Sequence, residues 1–125
     1  MSEKLIERKT INMEEALERF GGMQDLYDEL VQMFLSEHSY SSEKIQSFLN
    51  SKNYSELYNM THKLKGVAGT LGLEKLFDES KNLNDYLKTE LNNNNEININ
   101  ETIFTFVEKL KNTFNITINE LKKRY

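Results

Sequence analysis

The stretch Asn53-Tyr54-Ser55-Glu56-Leu57-Tyr58-Asn59-Met60-Thr61-His62-Lys63-Leu64-Lys65-Gly66-Val67-Ala68-Gly69-Thr70-Leu71-Gly72 reads as one amphipathic helix. Asn53 is a good N-cap, and Glu56 sits three residues later, as in a capping box. Leu57, Met60, Thr61, Leu64, Val67, Ala68 and Leu71 recur at three- and four-residue steps, which is one face of a helix. Gly72 ends the pattern. At about 100° per residue, His62 falls nearly opposite the middle of the apolar face. Gly66 and Gly69 follow four and seven residues on, on the histidine's own side. Each glycine inside a helix costs roughly 1 kcal/mol relative to alanine. Close approach of another molecule to an exposed imidazole would compensate for that cost.

Helical patterns extend in both directions from this stretch. Upstream, Asn12 with Glu15 predicts the start of a short helix over about 13–20, stopped by Gly21-Gly22. A second helix over about 23–39 carries Leu26, Leu30, Val31, Met33 and Phe34 as a stripe. After a weak joint at 39–42, a third helix carries Ile45, Phe48 and Leu49 and ends near Ser51. Downstream, a fifth helix over about 74–91 has Leu76, Phe77, Leu83 and Leu87 at helical spacing. Asn92-Asn93-Asn94-Asn95 is a polar loop. Asn100 can cap a last helix striped by Ile103, Val107, Leu110, Phe114 and Leu121. The β-branched run Ile116-Thr117-Ile118 lowers helix propensity, but the stripe continues across it. Long amphipathic helices with short connections predict an all-α fold, an up-down antiparallel four-helix bundle with two short additional helices. Residues 1–11 read as an irregular lead-in and 12–125 as a single helical domain, with its polar loop at about 92–99.

Composition narrows the function classes. A chain of 125 residues can bury one modest core. The net charge of -4 leaves no basic tract to release counterions from phosphates, so no nucleic acid is expected as a partner. Cysteine is absent, which removes disulfides, thiolate nucleophiles and cysteine-type zinc sites. Proline is absent too, which permits uninterrupted helices. No apolar run approaches the roughly 20 residues that span a bilayer, and Met1 to Thr10 lacks the apolar centre of a signal peptide. The expectation is a cytoplasmic protein without a membrane partner. With no extra apolar stripe, it is expected to be a monomer.

The chemistry concentrates at His62. A neutral imidazole is a nucleophile that can accept a phosphoryl group on a ring nitrogen, and histidine titrates close enough to cellular pH to leave neutral rings available. Lys65, one turn on, can offset charge on arriving phosphoryl oxygens. Gly66 leaves bare backbone beside the ring, whereas Lys63 projects to the other side. Tyr58 and Asn59, one turn earlier, are candidates for a docking surface. There is no GxxxxGK[ST] and no kinase glycine loop, so any phosphate comes from another protein. His38, near the end of the second helix, reads as structural, its cation favoured by the helix dipole. No third ligand joins the two histidines at a recognisable metal-site spacing.

The run His62-Lys63-Leu64-Lys65-Gly66-Val67-Ala68-Gly69-Thr70-Leu71-Gly72 resembles the signature of histidine phosphotransfer (HPt) domains of bacterial two-component phosphorelays. That pattern is a histidine, any residue, an apolar residue, Lys-Gly, small residues and a later Leu-Gly. It is met at His62, Leu64, Lys65, Gly66 and Gly72. Ala16-Leu17-Glu18-Arg19-Phe20-Gly21-Gly22, ahead of a leucine-rich helix, also resembles the family. The likeness is clear over about residues 12–90 and extends to the last helix in pattern only. It implies a bundle whose exposed histidine carries phosphate to or from receiver-domain aspartates, with His62 phosphorylated and Lys65 and Gly66 in support. It implies a response-regulator receiver and a sensor or hybrid histidine kinase as partners. It places Mg²⁺ on the receiver, with no cofactor or metal held by this chain. Several family members carry a Gln or Glu on the next helix that hydrogen-bonds the histidine ring. Here that stretch is about 81–85, and Asn84, a shorter side chain, stands at the matching place. Tyr58, Asn59, Lys63, Gly69 and Asn84 are thus candidate partner-facing residues.

Two rival readings stay open. One is a helical module that docks a receiver or kinase without carrying phosphate. The other is the phosphoacceptor domain of a larger chemotaxis-type histidine kinase, which the Ala68-Gly69-Thr70-Leu71-Gly72 run also resembles. The starting Met1 and the completed sixth helical pattern favour a stand-alone protein.

Overall fold

Apolar stripes at helical spacing can be buried only against one another, and in the computed structural model they meet in one core. The structure describes residues 7–92 and 99–125. Among these, the helices are α1 (Met13–Arg19), α2 (Gln24–Glu37), α3 (Ser41–Asn50), α4 (Tyr54–Leu71), α5 (Glu74–Asn92) and α6 (Thr102–Arg124). Of the polar loop expected at about 92–99, Asn92 belongs to α5 and residues 93–98 lie outside the described residues, as do residues 1–6.

Four legs make the bundle, and α2 with α3 form the first. Along α6 the partners of this leg run in reverse order. Asp28 accepts from the Tyr125 hydroxyl at 2.6 Å, Phe34 packs on Phe114, Ser42 bonds Asn115, and Gln46 accepts from Lys111. The leg is therefore antiparallel to α6 and broken at His38–Tyr40, so α3 continues it, while α1 sits outside against α2 and α4. α4 and α5 are antiparallel as well: Phe77 lies beside Gly69, and Asn84 reaches back to Tyr58. The α6 stripe survives its β-branched run, since Thr117 is buried and its hydroxyl donates to the Thr113 carbonyl at 2.8 Å.

The caps act as their residue types dictate. The Asn12 and Asn53 side chains accept from the backbone N–H of Glu15 and Glu56. Asn100 Oδ1 accepts from Thr102 N at 2.9 Å, just ahead of α6. At the end of α4, Gly72 is left-handed with φ 74°, and the N–H groups of Gly72 and Leu73 both return to the Ala68 carbonyl. A Cβ there would collide with the Asn12 backbone oxygen. Buried Tyr27 donates its hydroxyl to the Leu71 carbonyl at 2.8 Å, which ties α2 to the same turn.

The segment just before α1 is irregular, yet it is tied down. The Lys9 N–H donates to Glu74 Oε1 at 2.9 Å, and Asn12 Nδ2 donates to Glu74 Oε2 at 3.0 Å. Arg8 pairs with Asp78, and backbone bonds join Asn12 to Gly72 and Lys75 to Lys9. A polar strap thus crosses the α4–α5 joint, and periodicity could not reveal it because its partners lie far apart in sequence.

Candidate functional site

α4 sets the site. Its buried residues Leu57, Thr61, Leu64, Ala68 and Leu71 fix the helix's rotation about its axis, and that rotation leaves His62 exposed. The face is outward because the core positions flanking the histidine are fully buried, Thr61 and Leu64 among them. Lys65 is half-buried along its stem, one turn beyond His62, and among the described residues neither it nor Lys63 has a carboxylate at salt-bridge distance. A cation left unpaired beside a nucleophile is available to an incoming anion.

The two glycines part company. Gly66 is exposed, and a Cβ added there would meet nothing within 4 Å. Gly69 is half-buried, and a Cβ there would press on the Phe77 ring at 3.3 Å. Its carbonyl also accepts from the Arg19 guanidinium, which reaches over from α1 and is held by Glu15 at 2.7 Å. Gly69 thus has a packing reason within the fold to be small, the admission of α5, which the sequence reading did not include. Helical spacing put it on the histidine's side but could not show that Phe77 fills the space.

Asn84 is corrected. It is 2 % exposed, so it does not face a partner. Its amide donates to the Tyr58 carbonyl and to Thr61 Oγ1, both at 3.0 Å, and Thr61 Oγ1 in turn donates to the Tyr58 carbonyl at 3.0 Å. The short side chain stops at the backbone of α4, where a longer amide would extend further. Among the described residues no side chain hydrogen-bonds the His62 ring. Its aromatic neighbour is Tyr58, with ring centroids 6.4 Å apart and planes 22° from parallel.

Lys63 and exposed Asn59 line a groove of about 500 Å³ between α4 and the α2–α3 break, together with His38, Lys44, Phe48 and Met60. His38 caps α2 inside this groove, its ring tilted 35° against Phe34 and its Nδ1 2.9 Å from Ser41 Oγ. Burial pushes its pKa below the ordinary value, and the Lys44 and Lys63 charges push the same way against Glu37. Burial thus works against the cation expected at the end of α2.

A Hpt-domain family model matches residues 29–121. The chain belongs to the Hpt-domain family. The match begins within α2 and includes His62, Lys65 and Gly66, while α1 and the polar strap lie before it. This Hpt chain is also similar to the phosphorelay intermediate protein YPD1 of Candida albicans, 35% identical over 57 residues. That stretch is 46% of this chain and 31% of the yeast protein, so the match spans less than two thirds of the relative's length. No solved structure gives a significant match. Among the described residues of this Hpt chain, no helix is long and apolar enough to cross a membrane.

Proposed function

We propose that this chain is a histidine phosphotransfer protein that accepts a phosphoryl group on His62 and passes it to or from a receiver-domain aspartate in a two-component phosphorelay. The observation that carries the reading is an exposed histidine on a helix locked by its buried face, with open backbone at Gly66 and, one turn on, a Lys65 with no carboxylate at salt-bridge distance among the described residues. Family membership supports it, as does the likeness to a phosphorelay intermediate.

The step balances with one nucleophile from this chain. The lone pair of one imidazole nitrogen forms the N–P bond as the P–O bond to the donor carboxylate breaks. The carboxylate leaves with the electron pair, and the N–H on the other ring nitrogen stays. Lys65 offsets charge on the phosphoryl oxygens, and Gly66 lets the partner's active site close over the ring. The P–N bond is labile, which suits onward transfer. The divalent metal belongs, on this reading, to the receiver. The chain acts as a carrier, not a kinase; its sequence has no ATP-binding glycine motif. Its partners are a receiver domain and a sensor or hybrid kinase, met as a monomer in the cytoplasm.

Incubation with a phosphorylated receiver tests this. The wild type should take up phosphate and His62→Gln should not. Equal uptake by both defeats the proposal. A receiver that binds wild type and His62→Ala alike, with no phosphate on either from any donor, would leave a docking module instead.

A further inference from the structure

We propose that Tyr58 is the positioning residue for the His62 ring, and that it orients the nucleophile by stacking instead of by a hydrogen bond from α5. This rests on the carrier reading of His62.

Tyr58 lies one turn before His62 on α4, and its ring is half-buried against the core. The two rings are 22° from parallel with centroids 6.4 Å apart, within the range of offset aromatic pairs. The backbone beneath the stack is fixed from two directions. The Tyr58 carbonyl accepts from Asn84 Nδ2 on α5 and from Thr61 Oγ1 within the same turn. Asn84 is buried, and its bond to Thr61 Oγ1 is shielded from water, where a hydrogen bond counts for more. Asn84 thereby holds the platform, and Tyr58 holds the ring.

The geometry suits a phosphoryl acceptor. A stack engages the face of the imidazole, while the attacking lone pair lies in the ring plane. Both ring nitrogens therefore stay free for the reaction, one to attack and one to keep its proton. Restricting rotation of the ring lowers the entropy to be lost on reaching the reactive alignment.

Proton NMR combined with phosphate transfer separates this role from a structural one. The chain has two histidines, so His62→Gln assigns the His62 ring signals. In the wild type and Tyr58→Phe, the His62 ring protons should show the upfield shift of an aromatic face. Tyr58→Leu keeps an apolar contact with the core but has no π-face. It should lose that shift and transfer phosphate on the order of 2- to 10-fold more slowly, with urea unfolding little changed. Unchanged ring shifts and rate in Tyr58→Leu overturn the proposal, as does a loss in Tyr58→Phe equal to that in Tyr58→Leu. Absence of uptake by the wild type defeats the carrier reading itself. The ring shifts need no phosphate donor and decide the stack in either case.

Discussion

Gly66 and Gly69 lie three residues apart on one helix face, and their surroundings give them opposite meanings. Open space at Gly66 means that a methyl group costs nothing in contacts and removes the helix penalty of glycine. Gly66→Ala should therefore stabilise the fold by about 0.5–1 kcal/mol in urea unfolding. Gly66→Leu should fold equally well yet slow phosphate transfer by about 10- to 100-fold, because the side chain stands where the partner's active site must come. Transfer by Gly66→Leu at the wild-type rate would remove clearance from the account. The same alanine at Gly69 presses on Phe77 and tests packing only. The outward placing of His62 and Gly66 was legible because it follows from spacing on a single helix. Asn84 was misread, and the packing role of Gly69 missed, because both depend on α5, whose register against α4 no local pattern encodes.

The helices themselves follow from local signals. Asn12 and Asn53 cap as their side chains allow, Gly72 adopts the conformation that suits it, and each stripe contributes to the core, although Met33 of the α2 stripe is exposed. The strap over residues 8–12 escaped notice because its anchor, Glu74, is a charged residue at the start of α5 that periodicity assigns to solvent, whereas it is nearly buried. Burial works to raise the Glu74 pKa, but the Lys9 N–H, the Asn12 amide and the Arg8 charge outweigh it and hold the carboxyl below its ordinary value of 4.5. The folded protein thus binds this proton more weakly than the unfolded chain. The stabilisation is complete above the ordinary carboxylate value and fades as pH falls through the lower folded-state pKa. In an NMR titration the Lys9 and Lys75 amide signals should move together toward unstructured positions across that acidic range. In Glu74→Ala they should sit there at neutral pH. A strap that persists in Glu74→Ala would show that Glu74 does not anchor it.

At the scale of the molecule, the four legs hold one histidine outward and one half-buried. The buried stripes made the bundle readable, while the break at His38–Tyr40, which turns α2 and α3 into a single leg, shows only in the order of their contacts along α6. The same break half-buries His38 beside Lys44 and Lys63, and so leaves the two histidines in contrasting settings. A carrier needs only the outward ring, since the rest of the active site arrives with the partner. The most direct measurement is phosphorus–nitrogen NMR on protein with ¹⁵N-labelled histidine, charged from a phosphorylated receiver. The account predicts one-bond phosphorus coupling to a ring nitrogen of His62, lost when fresh receiver is added. Coupling at His38, or phosphate uptake with no coupling to either histidine, would contradict it.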